Sequence, residues 1–257
     1  MAVAGDFDYE RGGQHYATVR RTDPRIAAVV HHALGPARTV LNVGAGAGSY
    51  EPTDRYVVAL EPSAAMRAQR PAHAVPAVHG VAGHLPFDDE SFDAAMATLT
   101  VHQWPDMRAG LKEMRRVTRG PVVVLTFDGD ALDRFWLADY APELFEAERR
   151  RYPALDAIGT ALGPGATVSV VPVPRDCLDG FTEAYFARPE AFLLETTRRS
   201  QSAWGFVDEA VEARVVERLR ADLETGAWDE RYGSFRDSDV FEGALRLVVQ
   251  GATPNGT

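Results

Sequence analysis

One cysteine, Cys177, and one lysine, Lys112, occur in the 257 residues. A single cysteine excludes an intrachain disulfide and a cysteine metal cluster, and leaves Cys177 the role of a small, partly buried side chain. Long apolar runs are missing too. No stretch approaches the roughly 18 residues that a membrane helix requires, and the opening "MAVAGDFDYERGGQHY" is acidic and lacks the apolar core of a signal peptide. A cytoplasmic protein with no membrane partner is expected. Cations are outnumbered, 27 Lys and Arg against 37 Asp and Glu, for a net charge of -10. That balance repels phosphate backbones, so nucleic acid is not an expected partner. The histidines show no metal-ligand spacing; His31 and His32 are adjacent on a helix and face different directions. No metal site is expected, and the oligomeric state is open.

What is plentiful is core-forming material: 46% of the residues are hydrophobic, with twelve Phe, eight Tyr and four Trp, enough at this length for one enlarged domain. "TDPRIAAVVHHALG" predicts a helix capped by Asp23, with Pro24 in its first turn and Gly35 at its end. Strand-like runs follow: "TVLNV" (39–43), "YVVAL" (56–60), "AVPAVHG" (74–80), "SFDAAMATL" (91–99) and the wholly apolar "PVVVLTF" (121–127). Between the last two, "DMRAGLKEMRRVTRG" has Met107, Leu111, Met114 and Val117 at helical spacing. Strands alternating with helices predict a doubly wound α/β fold. Beyond Phe127 the chain turns helical and aromatic, then "ATVSVVPVP" (166–174) and "GALRLVV" (243–249) read as two final strands. The helical stretch between them predicts a cap over residues 175–240, on a core made of 1–174 and 241–257, because insertions at strand C-termini reach the ligand crevice.

The stretch "TVLNVGAGAGSYEP" places Gly44, Gly46 and Gly48 at alternate positions directly after the first strand. Such a turn lets a ligand lie close against the backbone, and Glu61, after the second strand, stands where a ribose would be hydrogen-bonded. Dinucleotides and S-adenosylmethionine share this much. A dinucleotide needs a helix N-terminus aimed at its pyrophosphate. Here only "SYEPTDR" precedes the second strand, with Pro52 in its middle and the carboxylates of Glu51 and Asp54 nearby. S-adenosylmethionine has no phosphate and carries a positive sulfonium, so it suits this turn better.

Four segments in order, "VLNVGAGAGSYE", "VVALEPSAAM", "GHLPFDDESFDAAMATLTVHQWPD" and "GLKEMRRVTRGPVVVLTFD", resemble successive motifs of class I S-adenosylmethionine-dependent methyltransferases. The likeness is to the small-molecule group of the ubiquinone-biosynthesis and trans-aconitate methyltransferase type, over about residues 15 to 128. It implies a Rossmann-like seven-stranded sheet. It also implies S-adenosylmethionine as cofactor, with S-adenosylhomocysteine as product. By the same resemblance Gly44, Ala45, Gly46 and Gly48 would underlie the methionyl part of the cofactor, and Glu61 would hold the ribose hydroxyls. Pro62, Ser63 and Met66 would lie beside the adenine, and Ala82 and Gly83 fall where the family fixes the adenine by backbone N–H and a nearby side chain. Leu99 and Thr100 would lie near the sulfonium, and Tyr16 would fold over the cofactor, with Arg20 and Arg21 beside it in sequence. Two positions depart from the family pattern. Asn42 stands where an acid is usual, and Val81 where an acid commonly bonds the adenine amine, leaving backbone groups, apolar packing and His84 for that task.

Methyl transfer from a sulfonium is an in-line displacement in which proximity and exclusion of water dominate. A general base is needed only when the acceptor must lose a proton. His102, after the fourth strand, is the first catalytic candidate for that role and Asp128 the second. Trp136, Tyr140, Tyr185, Phe192, Trp204 and Phe206 supply aromatic surface for enclosing an apolar or aromatic acceptor, and Arg198, Arg199 or Gln201 a polar contact to it. Two other readings stay open here. An NAD-dependent oxidoreductase is disfavoured by the short segment after Gly48 and by the lack of a Tyr-x-x-x-Lys pair. A non-catalytic S-adenosylmethionine-binding regulatory protein is kept open by Asn42 and Val81.

Overall fold

Helix α1 (Pro24–Ala33) starts where Asp23 accepts the Arg25 N–H at 2.9 Å. The computed structural model describes residues 20–251. Strands β1 (Thr39–Val43) and β2 (Tyr56–Leu60) follow with no helix between them; then come α2 (Ala64–Ala68), β3 (Ala77–Val78) and β4 (Ala94–Thr98). Helix α3 (Met107–Arg116) leads into β5 (Val122–Phe127), then α4 (Pro142–Arg151), α5 (Leu155–Leu162), β6 (Thr167–Val170) and β7 (Val173–Pro174). Short 3-10 turns and helices α6 (Glu195–Arg199), α7 (Glu209–Thr225), α8 (Ala227–Tyr232) and α9 (Ser234–Asp237) precede β8 (Val240–Phe241) and β9 (Leu245–Gln250).

The main sheet has seven strands in the order β3-β2-β1-β4-β5-β9-β6. β3, β2, β1, β4 and β5 are parallel, whereas β9 runs antiparallel to both neighbours. The chain moves outward from β1 through β2 and β3, then returns to start β4 on the other side of β1. Sheets of this kind bind ligands at such a reversal, beyond the strand C-termini.

Side chains of β5 alternate between two cores, as the period of a strand requires. Val123, Leu125 and Phe127 join α1, the aromatics of 135–145 and the segment 181–232, while Val122 and Val124 join α3 and α5. The stretch predicted as a cap therefore shares one continuous core with the sheet face beneath it. Trp136 contacts Trp228 edge-on at 5.3 Å and Phe192 at 5.8 Å inside that core.

Two strand expectations change. "ATVSVVPVP" divides into β6, in the main sheet, and β7, paired with β8 in a separate two-stranded sheet. Pro172 has no N–H with which to continue a ladder. β3 shrinks to two residues just after Pro76 for the same reason.

Candidate active site

Three glycines of the turn after β1 have left-handed backbone angles: φ is +69° at Gly44, +51° at Gly46 and +96° at Gly48. A Cβ at Gly44 would stand 2.9 Å from Thr100 Cγ2 and closer still to Oγ1. Only glycine lets the end of β4 pack against the turn in this way. Glu61, buried at the end of β2, accepts the Gly46 N–H at 2.8 Å and the Ser63 N–H at 2.9 Å. Burial pushes its carboxyl above the usual range, against the lowering effect of those backbone bonds. Each oxygen of a carboxylate keeps a further acceptor site, which suits the two hydroxyls of a ribose. Ser63 caps α2 by accepting the Met66 N–H at 3.1 Å, and buried Met66 reaches the turn at Gly46. The carbonyl of Pro62 accepts from Arg67 at 2.8 Å.

Asn42 is fully buried; its Nδ2 donates to Glu51 at 2.9 Å, while its Oδ1 has no partner. Glu51 in turn is held by Arg70 at 2.7 Å, with both side chains largely out of solvent. Arg70 also donates to the Gly46 carbonyl at 3.2 Å and the Val75 carbonyl at 2.9 Å. The electrostatic argument against a pyrophosphate thus changes its footing. Glu51 is neutralised by Arg70, and exposed Asp54 pairs with Arg55 at 2.9 Å. What excludes the dinucleotide arrangement is the missing helix between β1 and β2. The orphaned Asn42 oxygen, the Glu61 carboxylate and the glycine cradle fit S-adenosylmethionine, which offers a diol and cationic groups.

Ala82, expected from sequence beside the adenine, is buried and packs near Gly110 of α3, and Gly83 lies beside Ala109. Val81 is 47% exposed and His84 is exposed as well, so neither is packed into a closed base pocket. Tyr16 lies outside the described residues. Leu99 has φ +54°, uncommon for a branched side chain, and its N–H donates to the Leu125 carbonyl at 2.7 Å.

Leu99 opens onto a small, partly enclosed cleft of about 50 Å³. The apolar wall comprises Phe127, Leu132, Leu144, Phe145, Tyr152 and Phe181, and His102, Glu148, Glu183 and Gln201 add polar groups. His102 meets the Tyr152 ring edge-on at 4.9 Å. The Tyr152 hydroxyl donates to Glu148 at 2.8 Å, and Glu148 also pairs with Arg151. Arg20 enters from the N-terminal side, fixed to Asp179 at 2.5 Å.

Comparison with known proteins agrees with this geometry. A methyltransferase domain family model matches residues 41–124. A crystal structure from Anabaena variabilis, assigned as a methyltransferase of an antibiotic biosynthesis pathway, superposes with a TM-score of 0.84 at 29% identity, covering 90% of this chain and 98% of that one. Residues 41–124 form a methyltransferase domain. A Thermotoga maritima methyltransferase described as S-adenosylmethionine-dependent shares this methyltransferase's fold, with a TM-score of 0.57 at 16% identity over 95% of this chain and 98% of that one. The demethylmenaquinone methyltransferase of Mycolicibacterium gilvum is 39% identical over 100 residues, 37% of this chain and 44% of that protein. The chain thus matches less than half the length of such curated relatives.

Several sequence expectations for this methyltransferase's substrate side are corrected. Asp128 is not among the residues lining the cleft: it accepts the Asp130 N–H at 3.1 Å, capping a 3-10 turn, and pairs with Arg246 at 3.2 Å. Trp136, Tyr140 and Phe192 belong to the buried core and do not line the cleft. Arg198 is occupied by Glu212 and the Phe192 carbonyl, both at 2.6 Å, and Arg199 by Glu195 at 3.2 Å. Arg151 is buried over the Phe206 ring at 4.2 Å. Glu148, Tyr152 and Glu183 were missed. No motif marks them; the one local signal is acid and tyrosine four residues apart on the helical stretch that ends in "RRRY". No metal-binding group occurs among the described residues, and none of their helices is long and apolar enough to cross a membrane.

Proposed function

We propose that this methyltransferase transfers the methyl group of S-adenosylmethionine to a small, mainly apolar acceptor held in the cleft beside Leu99. The carrying observation is continuity. Thr100 packs on the first glycine of the turn, while Leu99 beside it and His102 border the cleft. S-adenosylmethionine supplies an activated methyl group and a neutral thioether as leaving group. The chain's part is to hold the ribose on Glu61, align the methionyl arm over Gly44–Gly48, and exclude water with the aromatic wall. His102 is proposed to take the proton of an acceptor that must lose one. Residues 175–240 are proposed as the substrate cover, joined in that task by Leu144, Phe145 and Tyr152 from the part assigned to the core. The name of the matched relatives, demethylmenaquinone methyltransferase, supports a small-molecule acceptor.

Calorimetry with S-adenosylmethionine, S-adenosylhomocysteine and NAD tests the cofactor. Binding of the first two and indifference to NAD is expected; tight NAD binding with no response to the others overturns the reading. The non-catalytic alternative predicts no open space next to the sulfonium, and the cleft at Leu99 counts against it. His102→Ala should lower turnover and flatten its rise with pH. An unchanged pH–rate profile would leave His102 as a packing partner of Tyr152.

A further inference from the structure

Two polar groups on the cleft wall are buried without partners, and their polarities are opposite. Glu183 is 2% exposed; its Oε1 accepts the Ala244 N–H at 2.8 Å, and its Oε2 has no hydrogen bond. Gln201 is 5% exposed; its Oε1 accepts from the Thr182 hydroxyl at 2.9 Å, and its Nε2 donates to nothing. Thr182 precedes Glu183 in the chain, and Thr182, Glu183 and Gln201 all line the cleft. Each buried group left unsatisfied costs about 1–3 kcal/mol, and native structures rarely leave one without a reason. An unpartnered acceptor and an unpartnered donor among the residues lining one cleft suit a ligand group that is both donor and acceptor.

The surrounding charge narrows that group further. The cation on the cleft wall, Arg20, is engaged by Asp179, and Glu148 is engaged by Arg151 and Tyr152. Among the described residues lining the cleft, no arginine or lysine other than the engaged Arg20 is present to balance a ligand carboxylate or phosphate beside Glu183. A neutral group fits. Resting on the methyltransferase reading, with the cleft as the acceptor site, we propose that Glu183 and Gln201 recognise a neutral hydroxyl on an aromatic or apolar acceptor. The hydroxyl donates to Glu183 Oε2 and accepts from Gln201 Nε2. Burial raises the Glu183 carboxyl to about 7, opposed by the Ala244 N–H, the charge of Arg246, the Leu245 N–H and the charge of Arg134. The acceptor oxygen is therefore lost on acidification, and the hydroxyl preference goes with it.

Matched probe sets test this: phenol, anisole and benzoate, and 2-naphthol, 2-methoxynaphthalene and 2-naphthoate. They are titrated by calorimetry at pH 8 and pH 6, with and without saturating S-adenosylhomocysteine. The hydroxyl member of at least one set should bind at least about tenfold more tightly than its ether and carboxylate at pH 8, roughly 1.4 kcal/mol, and lose that lead at pH 6. Glu183→Gln keeps an oxygen for Ala244 and turns the free acceptor into a donor, so it should move the preference toward the ether and carboxylate. Gln201→Glu keeps an oxygen for Thr182 and removes the donor, so it should weaken the hydroxyl probe. Carboxylates binding as well as hydroxyls, no hydroxyl probe binding, or an unaltered ranking in both variants overturns the proposal. If the hydroxyl preference holds but S-adenosylhomocysteine does not bind, the cofactor assignment falls and this recognition stands.

Discussion

Replacing Glu183 by Gln should change how the fold's stability depends on pH. The wild-type side chain is buried beneath the cleft with one oxygen unpaired, and burial moves its carboxyl from the ordinary 4.5 to about 7. Below 4.5 the group is protonated in both the folded and the unfolded chain. Between those values the native protein holds a proton that the unfolded chain has released, so stability falls as pH rises. Above about 7 the loss is complete. At about 1.4 kcal/mol per pH unit, the interval from 4.5 to about 7 corresponds to an upper bound of about 3 kcal/mol. The glutamine has no proton to release and keeps an oxygen for the Ala244 N–H. Urea unfolding followed by tryptophan fluorescence at pH 5, 6, 7 and 8 gives the comparison. The two proteins should lie within about 1 kcal/mol at pH 5, and the variant should lead by about 2–3 kcal/mol at pH 8. Taking the difference between the proteins cancels the other titrating groups, Glu61 among them. Parallel curves across the range would show that Glu183 is solvated or paired in solution, and would refute the reasoning.

Further outcomes follow from the cofactor side. Glu61→Ala should weaken S-adenosylmethionine binding by about 1–3 kcal/mol in calorimetry, the scale of lost hydrogen bonds to a charged group; unchanged affinity would mean the ribose lies elsewhere. Gly44→Ala places a Cβ against Thr100 at a backbone angle of +69°, so cofactor binding should be lost, and Thr100→Ala in the same chain should recover only part of it because the angle is still strained. Arg70→Met leaves the buried Glu51 carboxylate without its cation, with Asn42 its remaining donor, which should cost about 3–5 kcal/mol in urea unfolding; adding Glu51→Gln should recover a large share, and no recovery would argue against the pair.

The cofactor half was legible because its signals are local. "TVLNV" and "PVVVLTF" declare buried strands by composition, and "GAGAG" with Glu61 seventeen to thirteen residues later marks one end of one crevice. The substrate half was not legible, because its residues become neighbours only through packing. Nothing in "FTEAYF" distinguishes Glu183 from a solvated acid until Ala244, sixty-one residues away, is placed against it. Aromatic content pointed to a lined pocket, yet Trp136, Tyr140 and Phe192 went into the core. Composition says how many rings there are, not which way they face. The turn's charge was misjudged for a similar reason: Arg70, nineteen residues beyond Glu51, cancels it.

Between β1 and β2, where no helix covers the sheet, Tyr50 fills the space. It is 1% exposed with φ +64°, its hydroxyl donates to Asp179 at 2.6 Å, and its carbonyl meets His31 at 2.9 Å. Asp179 belongs to the substrate-side segment, and that same segment docks on α1 where the Leu178 N–H reaches Asp23 at 3.0 Å. Acceptor specificity, where the proposed cover sets it, is consequently not modular. A chimera that imports residues 175–240 from a methyltransferase lacking this aspartate would strand a buried phenol against the cofactor turn. Re-engineering of the acceptor range has to carry Tyr50, Asp179 and Arg20 across together, or keep all three.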